Sequence, residues 1–241
     1  MKKIVFLFFL ALLLNQTSQA QKVYAWMDVG LKGGYGLTGL LNSNLFDDKD
    51  YEHHLNGGYS IGGKLGLFFG LYNGITIDAL YSGFNQKFDY LKSNTRYDHK
   101  ISWNNIDLAL LYRMQKDGVY VELGPQYSLI QKVKNNDPND PNTDVTDFYN
   151  KNYLSGVFGI GGYLFNYETF TTMIGLRMGY GFGDMINSDG KAAKYPTPNQ
   201  VAQYSSKSTN AAFVQIMIEA NFALGFYGKS SCSKRATIFS F

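Results

Sequence analysis

The sequence predicts an all-β fold, an eight-stranded antiparallel up-and-down transmembrane β-barrel with long outer loops and short periplasmic turns. Three observations predict it: eight runs alternate between an apolar and a mixed face, the breaks between them alternate in length, and aromatic residues gather near both ends of the runs. A tilted strand needs about 9–11 residues to cross a bilayer, whereas soluble strands are commonly about 5–6 residues long. Runs longer than this norm therefore indicate a barrel wall in lipid.

The last run, Ala212–Leu224, shows the pattern most clearly. All its even-numbered residues are apolar, and its odd-numbered residues form a mixed set that includes Glu219. A period of two defines a strand with two different faces. By itself this run also suits a long strand of a soluble sandwich or lipocalin-like barrel, so the other elements must decide.

The N-terminus has the pattern of a signal peptide. Two lysines follow Met1, an apolar run spans Ile4–Leu14, and the small-residue site Ser18–Ala20 comes next. The apolar run is too short for a membrane helix, so we expect residues 1–20 to be removed. Residues 21–228 are then predicted to form the barrel and residues 229–241 a short C-terminal periplasmic tail.

Composition narrows the functional class. The chain has 26 glycines, 19 tyrosines and 18 phenylalanines but 5 prolines, a balance typical of barrels with aromatic belts. The net charge of +3 is too small to indicate a nucleic-acid partner. The single cysteine, Cys232, lies in the predicted tail and cannot form an internal disulfide.

The first four runs are predicted as strands because their apolar residues lie two apart. Asp28 and Lys32 in the first run, and Asp78 in the third, fall on the mixed face. The fourth run changes parity, which a β-bulge near Asn104–Asn105 would explain. These runs are Ala25–Leu37, Gly58–Gly70, Ile75–Phe88 and Ile101–Met114.

The other four runs follow the same rule. Pro125 is awkward in the fifth run, because proline cannot donate a hydrogen bond to a neighbouring strand. The sixth run is rich in glycine, and the seventh has Arg177 on its mixed face. These runs are Val119–Ile130, Tyr153–Phe165, Phe170–Phe182 and Ala212–Leu224.

The breaks between runs alternate between long and short. A lipocalin-like barrel gives no reason for such regularity, whereas an outer-membrane barrel has long outer loops and tight periplasmic turns. The pattern therefore favours the membrane barrel, with its first strand running outward. The long breaks are Leu41–Asn56, Asn85–Lys100, Lys132–Asn152 and Asp184–Asn210, and the short ones are Leu71–Gly74, Gln115–Gly118 and Asn166–Thr169.

Aromatic residues near the run ends predict two belts at the membrane interfaces. The outer belt would comprise Tyr35, Tyr59, Tyr81, Trp103, Tyr127 and Tyr180, and the inner belt Phe69, Tyr112, Phe170, Phe222 and Phe226.

Three glycine-containing segments carry a resemblance to a known family. Gly30–Tyr35, Tyr120–Pro125 and Leu176–Gly181 resemble recurring segments of the PorT-like outer-membrane β-barrel domain family of Gram-negative bacteria. The resemblance implies a location in the bacterial outer membrane. It implies no single activity, because that family is functionally mixed and one of its branches is tied to protein secretion.

Charged residues on the mixed faces are predicted to point into the lumen. Eight strands leave an interior that side chains fill, and buried ions must be paired or hydrogen-bonded. We therefore expect an ion-pair network that plugs the barrel, with a narrow ion path or a catalytic carboxylate as alternatives. The predicted network comprises Asp28, Lys32, Lys64, Asp78, Asp107, Arg113, Glu122, Arg177 and Glu219.

We expect no catalytic, cofactor-binding or metal site. The three histidines, His53, His54 and His99, show no spacing typical of a Ser/His/Asp site. Metal binding by His53 and His54 stays open as an alternative. The acidic third loop could supply oxygen ligands to calcium, but Asn, Asp and Pro are also ordinary turn residues. Its acidic residues are Asp137, Asp140, Asp144 and Asp147.

The expected function is that of a small non-enzymatic outer-membrane barrel that presents its outer loops for adhesion or partner binding, or stabilises the envelope. The alternatives are an accessory barrel of a secretion or assembly complex and a narrow ion channel. The expected partners are outer-membrane lipids and an envelope or surface protein.

Overall fold

The computed structural model of the protein describes residues 25–42, 51–70, 72–92, 94–138, 140–167, 170–198 and 207–227. The predicted signal peptide, the C-terminal tail and Cys232 lie outside these residues. No helix within the described ranges is long and apolar enough to span a membrane.

Eight long antiparallel strands close into a ring. Each pairs with its neighbour in the chain, except that a short additional strand, β6, pairs with β5 alone, and β9 returns to pair with β1. The strands are β1 (Ala25–Asn42), β2 (Tyr51–Phe69), β3 (Asn73–Lys92), β4 (Thr95–Lys116), β5 (Val119–Asp137), β6 (Asp140–Asp144), β7 (Asn152–Asn166), β8 (Phe170–Gly181) and β9 (Thr209–Tyr227). A 3-10 helix (Thr146–Phe148) and a short α-helix, α1 (Ser188–Ala192), lie in the connections at one end. We call this end of the barrel the loop end and the opposite end the turn end.

The strands alternate between a lumen face and an outer apolar face. Leu31, Leu108 and Ile216 are 69%, 45% and 57% exposed on the outer wall, whereas the polar residues between them are buried. This arrangement is inverted relative to a soluble protein, and it suits a wall surrounded by hydrocarbon. It confirms the eight-stranded barrel predicted from the period of two.

Three of the four connections at the loop end are shorter than the sequence predicts. The stretch Asn85–Lys100 is paired strand, since β3 and β4 continue in register until Lys92 faces Thr95, and Asn94 turns the chain with a φ of 61°. The sequence predicted a loop here because many residues of this stretch are polar. A strand that extends past the membrane meets water on its outer face, so polar residues there are compatible with a ladder.

The first and third predicted loops change in the same direction, whereas the fourth keeps its predicted length, since β8 ends at Gly181 and β9 begins at Thr209. β1 continues to Asn42 and β2 begins at Tyr51, so the first connection is shorter than Leu41–Asn56. The third contains the end of β5, strand β6 and the 3-10 helix, and the fourth contains α1. The turns at the opposite end lie where the sequence places them, with Asp117 and Gly118 both at positive φ.

The predicted irregularity near Asn104–Asn105 is present, but it lies in the partner strand. Between β4 and β5 the register passes from Asn104↔Lys132 to Asn105↔Ile130, so the extra residue is Gln131 of β5. Alternation in β4 is therefore continuous, and Trp103 points into the barrel with 1% exposure. Its assignment to the outer aromatic belt was wrong.

Pro125 is accommodated by a gap in one ladder. The register of β5 with β4 passes from Leu123 to Gln126, while the pairing of β5 with β7 continues through Pro125↔Gly156. The missing donor of proline thus falls where the β4 ladder is interrupted.

A hydrophobic core fills the loop end of the barrel and continues beyond it. The ring of Phe84 lies 5.8 Å from that of Trp103 on the neighbouring strand β4. It lies 5.4 Å from the ring of Phe213 on β9, across the lumen. The β3–β4 hairpin extends this core outward, and the connections cover it. Its further members are Leu40, Tyr51, Phe88, Tyr90, Ile101, Ala109, Leu111, Ile130, Val133, Val145, Tyr149, Tyr153, Val157, Met185, Ile186, Tyr195 and Ala211.

The turn end of the lumen is also occupied by side chains. Trp26 and Phe68 stack with their ring centroids 3.9 Å apart. Tyr120 packs with Tyr163 and Met173 in a second, smaller buried cluster. Between the two apolar ends lies a polar middle layer.

Candidate functional site

The polar middle layer contains the charged residues that alternation predicts to face inward. Each is at most 3% exposed, so the wall and the apolar ends exclude bulk water from them. They come from seven of the eight barrel strands: Asp28 and Lys32 from β1, Lys64 from β2, Asp78 from β3, Asp107 and Arg113 from β4, Glu122 from β5, Arg177 from β8 and Glu219 from β9.

Glu219 contacts three of the four cations of this layer. Its Oε1 lies 2.9 Å from Lys32 Nζ and accepts a hydrogen bond of 2.7 Å from Arg113 Nη2. Its Oε2 accepts hydrogen bonds from Arg113 Nη1 at 2.9 Å and Lys64 Nζ at 3.4 Å. The bidentate contact with Arg113 is the strong geometry for an arginine–carboxylate pair.

Lys32 joins three carboxylates from three different strands. Besides Glu219, its Nζ donates to Asp78 Oδ2 at 2.9 Å and Glu122 Oε1 at 3.1 Å. Since β1 is adjacent to β9 but not to β3 or β5, these contacts cross the lumen. The ammonium group therefore ties non-neighbouring strands together.

The remaining cations complete the layer. Arg177 Nη1 donates to Asp78 Oδ2 at 2.6 Å, and its Nη2 donates to Gln126 Oε1 at 3.0 Å. Lys64 Nζ donates to Asp28 Oδ2 at 3.2 Å. Every one of the four cations thus contacts at least one carboxylate, which buried charges require.

Asp107 differs from the other four acids. Its Oδ2 accepts a hydrogen bond of 2.5 Å from Ser82 Oγ, and none of the ion pairs found among the described residues includes it. With five acids and four bases, the layer has a formal charge of −1. Ser82 and Gln126 take part in the layer although the prediction named charged residues alone. Their shared parity with Asp78 and Glu122 was the signal that would have found them.

Glycines in the wall make space for these side chains. A Cβ at Gly66 would lie 2.2 Å from Asp28 Oδ1, and one at Gly159 would lie 2.7 Å from Glu122 Cγ. Both distances are too short for a real contact, so glycine at these positions lets the charged groups lie against the strand. The layer is a packed ionic plug rather than a cavity.

The three histidines lie outside this layer, in the extension at the loop end. His53 and His54 are on opposite faces of β2: His53 packs edge-on against Phe88 at 5.2 Å, whereas His54 Nε2 points outward to Asp89 Oδ2 at 3.1 Å. Joint metal binding by His53 and His54 is therefore excluded by strand alternation. His99 is buried beside Phe88 and hydrogen-bonds Asn135, and burial lowers the pKa of both His53 and His99.

Two acidic residues of the third connection, Asp137 and Asp144, have partners within the protein. Asp137 is buried and accepts a hydrogen bond from Tyr90 Oη at 2.9 Å. Asp144 accepts hydrogen bonds from Thr146 and lies 3.2 Å from Lys132 Nζ, and these contacts, the Thr146 hydroxyl first, lower its pKa to about 2. Calcium binding at this connection stays an alternative, as the sequence left it.

Comparison with known proteins places these features in a family context. A family model described as "Outer membrane protein beta-barrel domain" matches residues 7–164. No curated protein matches the chain.

Several solved structures are similar in fold. Neisserial surface protein A is 12% identical, with 83% of this chain and 96% of that chain covered and a TM-score of 0.38. The outer membrane protein OprG from Pseudomonas aeruginosa is 13% identical, with 84% and 95% covered and a TM-score of 0.36. Ail, the attachment invasion locus protein of Yersinia pestis, is 12% identical, with 84% and 100% covered and a TM-score of 0.35. Similarity at this level supports no argument about function.

Proposed function

Because the chain belongs to the outer membrane protein beta-barrel domain family, and its place is the bacterial outer membrane, we propose that it is a closed, non-enzymatic barrel that presents a folded platform outside the membrane for partner binding. The observation that carries this proposal is the core that runs without a break from the lumen into the β3–β4 hairpin. Phe84 and Trp103 lie in the barrel part of that core, and Phe88, Tyr90 and Ile101 in the hairpin part. A hairpin with a buried inner face holds one shape, which a binding surface needs to limit the entropy lost on association.

The extension is large relative to the connections. Beyond Tyr81 in the outer belt, β3 continues to Lys92 at about 3.3 Å per residue, so the hairpin projects about 36 Å along the strand. Leu91 at its tip is 44% exposed, and Arg96 beside it is also exposed. An exposed apolar residue next to charges is a feature of contact surfaces, where an anchor is surrounded by a polar rim.

The closed lumen supports the structural role of the ionic plug over a channel. Ion pairs cross the middle of the barrel, and aromatic side chains occupy both ends. We therefore expect no stable, large open-channel steps when the pure protein is recorded in planar bilayers. Such steps would promote the narrow-channel alternative.

Photocrosslinking in intact cells tests the platform against the accessory-barrel alternative. A photoreactive residue would replace Leu91 or Arg96 at the hairpin tip, and as a matched control it would replace Asp117 in a turn at the opposite end. Adducts with one discrete protein from the hairpin positions alone support the platform. Adducts from Asp117 alone would instead support an accessory of a periplasmic assembly or secretion complex, and the platform proposal would fail.

Within its family, we propose a place among the PorT-like barrels. The three segments that carry this resemblance, Gly30–Tyr35, Tyr120–Pro125 and Leu176–Gly181, lie in β1, β5 and β8. They contribute wall and lumen positions, so they support a shared fold and carry no information about a shared partner.

A further inference from the structure

Three side chains with metal-ligating atoms meet on the outward face of the extension. Glu52 and His54 lie two residues apart on β2, and Asp89 lies directly opposite Glu52 on β3. His54 Nε2 is 3.1 Å from Asp89 Oδ2 and 4.0 Å from Glu52 Oε2. The three ligand atoms all lie within 4.8 Å of one another.

These separations are close to those of a small tetrahedral metal site. Zn²⁺ binds imidazole nitrogen and carboxylate oxygen at about 2.0–2.2 Å, which places neighbouring ligand atoms about 3.3 Å apart. The His54–Asp89 distance is already near this value, and the 4.0 Å between His54 Nε2 and Glu52 Oε2 is longer. Imidazole nitrogen and carboxylate oxygen are both ligands of zinc, whereas calcium and magnesium prefer oxygen ligands alone.

The same face carries three carboxylates in a row. Glu52, Asp89 and Asp98 lie directly opposite one another across β2, β3 and β4. Like charges placed opposite each other destabilise a sheet, and Lys87 and Arg96 offset two of the three negative charges. Lys100 lies directly opposite Lys87 on the same face, so this group has three carboxylates and three basic side chains.

One carboxylate oxygen in this row has no hydrogen-bond partner. Asp89 Oδ1 is buried and accepts no hydrogen bond within the described part of the chain, and the nearest ammonium, Lys87 Nζ, is 3.6 Å away. A buried oxygen without a donor is rare, and each instance calls for an explanation such as an ion. This atom belongs to the residue that already faces His54.

The competing contact to Glu52 is weak. Arg96 Nη2 lies 3.0 Å from Glu52 Oε2, and the two side chains are 57% and 53% exposed. Exposed ion pairs contribute little to stability, so a divalent cation can displace this arginine. Lys87 Nζ lies closer to Asp98, at 3.1 Å, than to Asp89, at 3.6 Å.

We propose that Glu52, His54 and Asp89 form a Zn²⁺ site on the outer face of the barrel extension. Three protein ligands leave the fourth position of a tetrahedral ion to water or to a group from another molecule. This departs from the expectation that the chain has no metal site. It is independent of the proposed platform function, because the ion would bind to the isolated barrel.

The test is a Zn²⁺ titration of the full-length protein, without a histidine tag, in detergent against a chromophoric chelator. We expect one equivalent to bind to the wild type, and roughly tenfold or greater weakening in His54→Gln and in Asp89→Asn. Asp144→Asn, the same type of change at another exposed carboxylate, is the control and should leave the affinity unchanged.

A fourth variant gives the test an outcome that a loss of folding cannot imitate. Arg96→Gln removes the competitor for Glu52, so it should bind Zn²⁺ more tightly than the wild type. The absence of stoichiometric binding in the wild type, retention of binding in His54→Gln, or weaker binding in Arg96→Gln would each overturn the proposal. Equal weak binding in every variant would mean adventitious zinc and would overturn it too.

Discussion

Two buried carboxylates in the lumen should lose very different amounts of stability when each is replaced by its amide. Glu219→Gln removes the charge that faces Lys32 at 2.9 Å, Lys64 at 3.4 Å and Arg113 at 2.7 Å. The oxygen of the new amide can accept a hydrogen bond from one of these cations, but its NH₂ group must then face another cation. Removing one partner of a buried ionic group costs about 3–5 kcal/mol, because the partners keep their desolvation penalty. We expect Glu219→Gln to lower the free energy of unfolding by an amount in this range.

Asp107→Asn is the matched control. This carboxylate is as deeply buried, but it is in none of the ion pairs of the described chain, and its contact with Ser82 is a hydrogen bond that an amide oxygen can also accept. The change also removes the excess negative charge of the layer. We expect it to cost no more than about 1 kcal/mol, the value of an ordinary hydrogen bond.

The assay is urea-dependent folding into lipid vesicles, followed by the fluorescence of the two tryptophans, Trp26 and Trp103. Both lie against the polar layer, one toward each end of the barrel, so the signal reports on the formation of the whole lumen. Equal losses in the two variants would refute the reasoning, because they would mean that burial, rather than the number of cations, sets the cost. A stabilised Glu219→Gln protein would refute it more strongly.

Other features give predictions of the same kind. Ile216→Arg places a charge near the middle of the lipid-facing wall and should lower the free energy of unfolding by about 2–4 kcal/mol in vesicle titrations. Leu55→Arg, near the loop end, should lower it by at most about 1 kcal/mol. Equal losses would mean that the assigned position of the membrane is wrong. An epitope inserted after Asn94 should be stained on intact cells and one after Asp117 should not, and the reverse would invert the topology. Burial lowers the pKa of His99 from 6.5, so the folded extension binds fewer protons than the unfolded chain below pH 6.5 and loses stability as the pH falls through that range. The protection factors of the β3–β4 amides, which correct for the intrinsic exchange rate at each pH, should therefore fall between pH 7.5 and 5.5. They should fall by more in the wild type than in His99→Gln, where the buried His53 still responds, and equal falls in both would exclude His99 as a cause.

The barrel wall could be predicted because lipid imposes a simple rule on it. Every second residue of a spanning strand must be apolar, so runs such as Ala212–Leu224 reveal both the strand and the direction of each side chain. The inward position of Glu219 and Arg177 follows from the same parity. What parity cannot provide is the pairing: that Lys32 contacts carboxylates on β3, β5 and β9 depends on the curvature and stagger of the closed ring.

The extension beyond the membrane could not be predicted by this rule. There the outer face of a strand meets water, so Lys87, Asp89 and Asp98 look like loop residues although they lie in a ladder. The buried alternate residues Phe88 and Tyr90 were a signal that the stretch continues as strand. Trp103 was misplaced for a related reason, since the extra residue at the irregularity belongs to β5 and the sequence of β4 alone cannot reveal it.

The ionic layer also determines when the barrel can enter the membrane during its biogenesis. Its contacts join residues far apart in the chain: Lys32 and Glu122 are 90 residues apart, Asp78 and Arg177 are 99 apart, and Arg113 and Glu219 are 106 apart. No single hairpin contains a complete set of partners, so a partly assembled sheet would expose unpaired charges to hydrocarbon, at a high cost. The charges become compatible with the bilayer once β9 has joined β1. The plug therefore favours concerted insertion and closure over the addition of one strand at a time.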